Sequence, residues 1–298
     1  MFFELRGRKS LSYNREMRFI GLRSILVLFV FSACVLAQTP VIDPTRIQNS
    51  ATGASAGGIV PGSLITLYGT NLATTLTQSK SVPLSNTLDN VTVRFNGVQA
   101  PLYFVSPNQI NAQVPWEVVP VTAPGSSGTV QMVVNRNGTP SAPATYAAAT
   151  IDPGIFAITL DSGGNVIGTG VGQAIAYGNT DYQFAAPPGS INGYTTHAAK
   201  IGDPLTLAIL ATGLGPVDAP VQTGNGVTTA INTVTKPEVL VGGVSAQVVF
   251  SGVYPVSPGV YQLNIIIQPG TPTGNAVPLQ IRMNGITTTN KVTIAVTN

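Results

Sequence analysis

The chain has 298 residues, of which 8% are charged, with fourteen Lys and Arg against eleven Asp and Glu. Its single cysteine, Cys34, excludes an internal disulfide, and the length accommodates two domains of ordinary size, each with its own core. Six of the basic and two of the acidic residues lie within 1–37, which leaves eight against nine, so the basic isoelectric point belongs to that first segment and nothing in the remainder calls for nucleic acid.

The segment 1–37 reads as an export leader. Arg15, Arg18 and Arg23 precede the apolar run 25–31, and Val35 and Ala37 occupy the −3 and −1 places of a small-residue cleavage site ahead of Gln38. Met17 is an alternative start. The apolar run is shorter than the ~20 residues of a spanning helix, so a signal peptide is expected rather than a retained anchor. Membrane contact is then confined to the leader before cleavage, and the mature protein is extracellular, periplasmic or associated with the cell surface. Acylation at Cys34 is the competing reading, but Phe31 stands where that pattern wants an aliphatic residue.

Residues 38–58 are polar and rich in Gly, Ala and Ser, which suggests an extended lead-in. A first domain is expected over 59–150. Its opening strand, 63–69, breaks strict alternation at Leu64 and Leu67, as a bulged strand or one buried on both faces does. In 91–95, Val91, Val93 and Phe95 alternate inward against Thr92 and Arg94, and Asn96-Gly97 supplies the two positive φ angles of a type I′ turn. Continued alternation puts Leu102 and Phe104 on the inner face. Ile110, Ala112 and Val114 follow, and Pro115 ends the ladder. Asn137-Gly138 marks one more hairpin.

Asp152-Pro153-Gly154 marks the boundary to a second domain, 151–298, with an inserted hairpin around 161–164 and a Gly-, Pro-, Asn- and Thr-rich loop over 177–199 at its start. The chain then repeats itself. Val93, Gly97, Val98, Ala100 and Phe104 have counterparts 146 positions on, in Val239, Gly243, Val244, Ala246 and Phe250, and Gln109-Ile110-Asn111 is matched by Gln262-Leu263-Asn264, 153 positions on. The motif Thr70-Asn71-Leu72 returns as Thr212-Gly213-Leu214. A period this long means two copies of a domain. Phe104 and Phe250 are therefore expected at equivalent core positions. No stretch after Gln38 carries a 3.6-residue apolar period, so the mature chain is read as all-β, two tandem sandwiches of short strands.

The motif Pro61-Gly62-Ser63-Leu64-Ile65-Thr66-Leu67-Tyr68-Gly69-Thr70-Asn71-Leu72, with Asn96-Gly97-Val98-Gln99-Ala100 after it, resembles the immunoglobulin-like IPT/TIG domain. The chain from Ile59 onward is also similar to a two-part C-terminal domain, without known activity, of secreted proteins of Acidobacteria. Ser106-Pro107-Asn108-Gln109-Ile110-Asn111, Val114-Pro115-Trp116, Ala211-Thr212-Gly213-Leu214-Gly215-Pro216 and Gly274-Asn275-Ala276-Val277-Pro278 carry that similarity. His197-Ala198-Ala199 departs from the Asn-Pro-Ala more usual there. The resemblance implies tandem immunoglobulin-like sandwiches and export, and no reaction.

Candidate chemistry is sparse. His197 is the sole histidine and has no G-x-S-x-G partner motif, so a triad is not indicated. Acids such as Asp89, Glu117, Asp161 and Asp203 fall at turns and strand ends, where capping explains them better than paired catalysis. The turn Asp161-Ser162-Gly163-Gly164-Asn165 lacks the ligand run of a calcium loop, and no metal or cofactor is indicated. Aromatic side chains are the remaining binding candidates. Trp116, at a strand end, and Tyr103, on the outer face, are the residues named for stacking on a sugar or a partner, with Trp116 covering the seam between domains as the alternative. The expectation is a non-enzymatic exported module with a structural, adhesion or display role, or else a carbohydrate-binding or degenerate glycan-active protein of the envelope. Its partner would be an envelope protein or glycan.

Overall fold

The structure is a computed structural model, and it describes residues 38–118, 128–178, 182–204 and 207–298. The expected leader lies outside the described residues. Every regular element among the described residues is a strand. This follows from the sequence: short runs rich in Val, Ile and Thr are punctuated by turn residues, which leaves nowhere for a helical stripe to form.

Two antiparallel sheets make the first sandwich. One runs, in spatial order, Val41–Asn49, Leu64–Thr70, Gln109–Gln113, Leu102–Ser106 and Thr77–Gln78; the other runs Ala144–Ala147, Thr129–Arg136, Val91–Phe95 and Val98–Gln99. Ile65, Leu67, Leu102 and Ile110 from the first sheet meet Val91, Val93, Phe95, Met132 and Val134 from the second, all at most 2% exposed. Burying an aromatic such as Phe95 this completely contributes up to about 3 kcal/mol. The sheet begins earlier than the sequence reading put it. Val41–Asn49, read as lead-in, pairs with Leu64–Thr70, and a register shift between Ile42 and Ile47 spans the segment that holds Pro44, a residue that edge strands tolerate.

The second sandwich repeats this plan with additions. Val244–Val253 is one long strand that serves both sheets: Val244, Ser245 and Ala246 pair with Glu238–Val241, and the rest pairs with Tyr261–Ile266. The equivalent passage of the first copy is split into Val98–Gln99 and Leu102–Ser106 by Ala100-Pro101, because Pro101 has no N–H to continue the ladder. Beyond the shared strands, the hairpin Ala157–Leu160/Val166–Thr169 and Gly172–Ala174 extend one sheet, the last pairing parallel with Val292–Thr297. Ala176–Gly178, Phe184–Ala185 and Thr196–His197 extend the other, outward from Leu207–Thr212. The residues read as one irregular loop from 177 thus contribute short strands to a sheet.

The duplication is visible in backbone angles. Asn96-Gly97 has φ of 46° and 84° and its counterpart Gly242-Gly243 has 58° and 84°, while Asn71 and Gly213 both sit at positive φ immediately before the buried Leu72 and Leu214. One expectation fails in an instructive way. Phe104 and Phe250 are equivalent, opposite Asn111 and Asn264 respectively, but neither is in the core. A β-bulge lies between Leu102 and Phe104, and another between Val248 and Phe250. The extra residue, Tyr103 or Val249, inverts the alternation beyond it. Leu102 and Val105 therefore point inward, and Phe104 lies on the outer face.

Candidate functional site

The two aromatic candidates, Trp116 and Tyr103, are both brought to the seam between the sandwiches. Trp116 leaves the first sandwich after Pro115 and packs against the core of the second, its ring 6.4 Å from that of Tyr261 in an edge-to-face arrangement. Its backbone N–H donates to Thr223 Oγ1 (3.0 Å), which itself donates to Glu117 Oε2 (2.9 Å). Gly62 lies under the indole: its φ is +78°, and a Cβ there would overlap the ring. Among the described residues the buried indole Nε1 has no hydrogen-bond partner. Tyr261 is fully buried, donates to Gly215 O (2.6 Å), and is held far above the usual phenol range by that burial.

Tyr103, the bulge residue, turns its hydroxyl to Pro258 O at 2.8 Å, and burial raises its pKa. Thr212 completes the joint. Its Oγ1 accepts from Leu64 N (2.9 Å) and donates to Gly259 O (2.7 Å), so one hydroxyl ties the opening strands of both copies together. Gln113, between the inward Ala112 and Val114, points out of the first core, yet it is 1% exposed, and its Oε1 accepts from Gly224 N (2.8 Å) of the second sandwich. The same cover explains why Leu64, Ile65, Thr66 and Leu67 are buried in succession. The sheet is covered by the first core on one side and by the second sandwich on the other.

Concavities border the seam. A groove of about 490 Å³ is lined by Trp116, Glu117, Val217, Asp218 and Pro220, and a smaller cavity of about 290 Å³ lies between Leu64, Tyr103 and Asn111 on one side and Phe156 and Ile175 on the other. The carboxylates of the groove are committed. Asp218 accepts from Asn232 N (2.9 Å) and Asn232 Nδ2 (2.8 Å), which lowers its pKa, the opposite of what a general acid requires. Among the described residues Asp152 is the one carboxyl whose pKa burial raises on balance. It accepts from Asn49 Nδ2 (3.2 Å) and the Gly57 backbone, and a Cβ at Gly57 would come within 2.8 Å of its Oδ1, so hydrogen bonds and close packing hold it in place.

The remaining acids act as the turn chemistry requires. Asp89 accepts from the backbone N–H groups of Thr75 and Thr74, and Asp161 from the side-chain amide and backbone N–H of Asn165 and the N–H of Gly163; these bonds lower both pKa values. His197 sits in the sheet extension, its Nδ1 2.9 Å from Ala198 O. Among the described residues no three His, Cys, Asp or Glu side chains are grouped to hold a metal ion.

What sequence reasoning missed is a second aromatic group, on the extended edge of the second sandwich. Tyr177 lies directly opposite Phe184 across an antiparallel pair. Tyr182 packs on Tyr177 with centroids 6.0 Å apart, Tyr194 stands edge-on to Phe184 at 5.2 Å, and the Tyr177 and Tyr254 hydroxyls are 3.4 Å apart. Burial, reinforced by Tyr254, raises the Tyr177 pKa. The signal was available: 177–194 holds three tyrosines and a phenylalanine in a segment dismissed as loop.

The fold defines a tandem immunoglobulin-like β-sandwich protein. Within it, residues 51–148 match the model of the IPT/TIG domain family. Such a domain points to a non-enzymatic structural or adhesion module. No curated protein matches the chain in sequence. Among solved structures, the plexin A4 extracellular region, domains 1 to 8, aligns at 10% identity over 86% of this chain and 18% of that one, with a TM-score of 0.24. The titin I9–I11 tandem aligns at 10% identity over 87% of this chain and 67% of that one, with a TM-score of 0.19. The chain thus spans less than a fifth of the plexin chain.

Proposed function

We propose that the protein is an exported, non-enzymatic adhesion or display module that works at the cell envelope or outside the cell. One observation carries this reading: the two aromatic side chains that sequence inspection singles out for binding, Trp116 and Tyr103, serve to join the sandwiches. Trp116, Tyr103, Thr212 and Gln113 tie two immunoglobulin-like units into one body. The burial-raised carboxyl of Asp152 is held beside them by Asn49 and the Gly57 backbone. A body of this kind presents surfaces at a fixed relative orientation, which is what an adhesive or display element needs. Export rests on the arginine-flanked apolar run and the small residues before Gln38.

Cell fractionation followed by N-terminal sequencing tests the reading. The expected result is protein in the envelope or medium that begins at Gln38. Lipid-modified protein beginning at Cys34 would replace the cleavage site with an acylation site, and protein confined to the cytoplasm would overturn the proposal. A second reading, glycan binding, is favoured by the exposed tyrosines at the edge of the second sandwich.

A further inference from the structure

We infer that the aromatic face formed by Tyr177, Tyr182, Phe184, Tyr194 and Tyr254 is a binding site for a neutral glycan. The inference rests on the reading of the protein as a binding module and names the ligand class. The face is built by strand register. Phe184 pairs with Tyr177, Tyr177 with Ala208, Ala208 with Asn264 and Asn264 with Phe250, so these five residues form one row on one side of the sheet. The neighbours Ala176, Ala185, Ile209 and Leu263 point the other way, into the core. Rings therefore stand at both ends of the row, half-buried on the side away from the core, with the fully buried Ala208 and the half-buried Asn264 between them.

Two features set these rings apart from core-filling aromatics. Tyr182 is 73% exposed and Tyr194 58%, although each packs on a second ring of the group. Tyr182 also holds φ at +55°, a conformation that costs a bulky side chain energy and that Asn or Gly would adopt without it. A strained, exposed tyrosine stacked on another tyrosine contributes little to the fold, and an outlier of this kind points to function.

The chemistry of the set selects the ligand. Four tyrosines and a phenylalanine supply rigid apolar faces with hydroxyl tips, large contact area at small entropic cost. The set contains no Lys or Arg, whereas single-stranded nucleic acid and acidic polymers need cations beside the rings. A neutral pyranose offers the matching surface, C–H groups on its faces and hydroxyls around its edge.

Affinity electrophoresis of the purified protein in native gels containing dextran, hydroxyethylcellulose, galactomannan or xylan, with alginate as the anionic comparison, tests the inference. At least one neutral polysaccharide should retard the protein. Tyr182→Ala and Tyr194→Ala should each raise the dissociation constant at least about tenfold, as loss of a binding hot spot does. Tyr68→Ala, which removes the ring under Arg46 on the first sandwich, should leave it unchanged. Tyr182→Asn fits the positive φ and is read if Tyr182→Ala does not fold. Retardation by none of the neutral polymers, retardation by alginate alone, or unchanged binding in the tyrosine variants overturns the inference and leaves the module reading standing. Release of reducing ends from a polymer that binds would instead overturn the non-enzymatic reading while the site stands.

Discussion

Gly62→Ala tests the seam at its tightest point. Two costs add at this position. The φ of +78° places an L-residue in the left-handed region, at about 1–2 kcal/mol, and the new methyl must displace the Trp116 ring from its place against the second core, at about 1–3 kcal/mol for overpacking. The single substitution should therefore destabilise by about 2–5 kcal/mol. In a Trp116→Ala background there is no ring to displace, so the backbone cost of about 1–2 kcal/mol is all that remains. The difference, about 1–3 kcal/mol, is the coupling energy of a double-mutant cycle. Urea unfolding followed by far-UV circular dichroism measures all four proteins, because that signal does not depend on the tryptophan. Additive effects, with a coupling below about 0.5 kcal/mol, would refute the packing of Trp116 on Gly62.

Leu102→Ala should cost about 2–5 kcal/mol, and Phe104→Ala less than half as much, because the bulge leaves Phe104 on the outer face; urea midpoints that rank the other way would restore the unbulged register. Asp152→Asn should flatten part of the pH dependence of stability. Burial raises the Asp152 pKa above its unfolded value of 3.8, so its ionisation costs stability progressively as pH rises through the folded value, and the variant should gain on the parent across that window. A gap between the two proteins that stays constant from acid to neutral pH would contradict this. Thr212→Val leaves Leu64 N and Gly259 O buried without their shared partner and should cost about 1–3 kcal/mol for each, read by urea unfolding; a loss below about 0.5 kcal/mol would remove Thr212 from the joint.

How far the sequence could be read depended on whether local chemistry or long-range packing decided each feature. Where local chemistry decides, the reading holds: Val91, Val93 and Phe95 point inward as alternation requires, and the Asn-Gly pairs at 96 and 137 take positive φ at both residues. The copy-to-copy offsets survive for the same reason, since turns and buried strands tolerate few alternatives. The bulges at Tyr103 and Val249 are decided by cross-strand geometry, which a single strand does not display, and so Phe104 was placed on the wrong face. The strand Val41–Asn49 went unrecognised because its partner lies across a register shift and its composition is polar.

The candidate site shows the same division. Trp116 and Tyr103 stood out as aromatics beside turns, and that they meet the second sandwich is a property of tertiary packing. The tyrosine face was hidden by its setting. Tyr177, Tyr182, Phe184 and Tyr194 are spread through a Gly- and Pro-rich segment, and the pairing of Ala176–Gly178 with Phe184–Ala185 is what brings them together. Aromatic density in such a segment is the legible clue, and register supplies the rest.

The central structural premise, that the seam makes one body of two sandwiches, has a built-in reporter. Trp116 is the sole tryptophan and sits in that seam. Equilibrium urea unfolding of the purified protein, followed in parallel by tryptophan fluorescence and by far-UV circular dichroism, compares opening of the joint with loss of the strands. The account predicts coincident transitions, the indole reaching solvent as the sheets melt. A fluorescence transition complete at lower urea, with the strand signal still native, would mean that the sandwiches separate while folded and would contradict it.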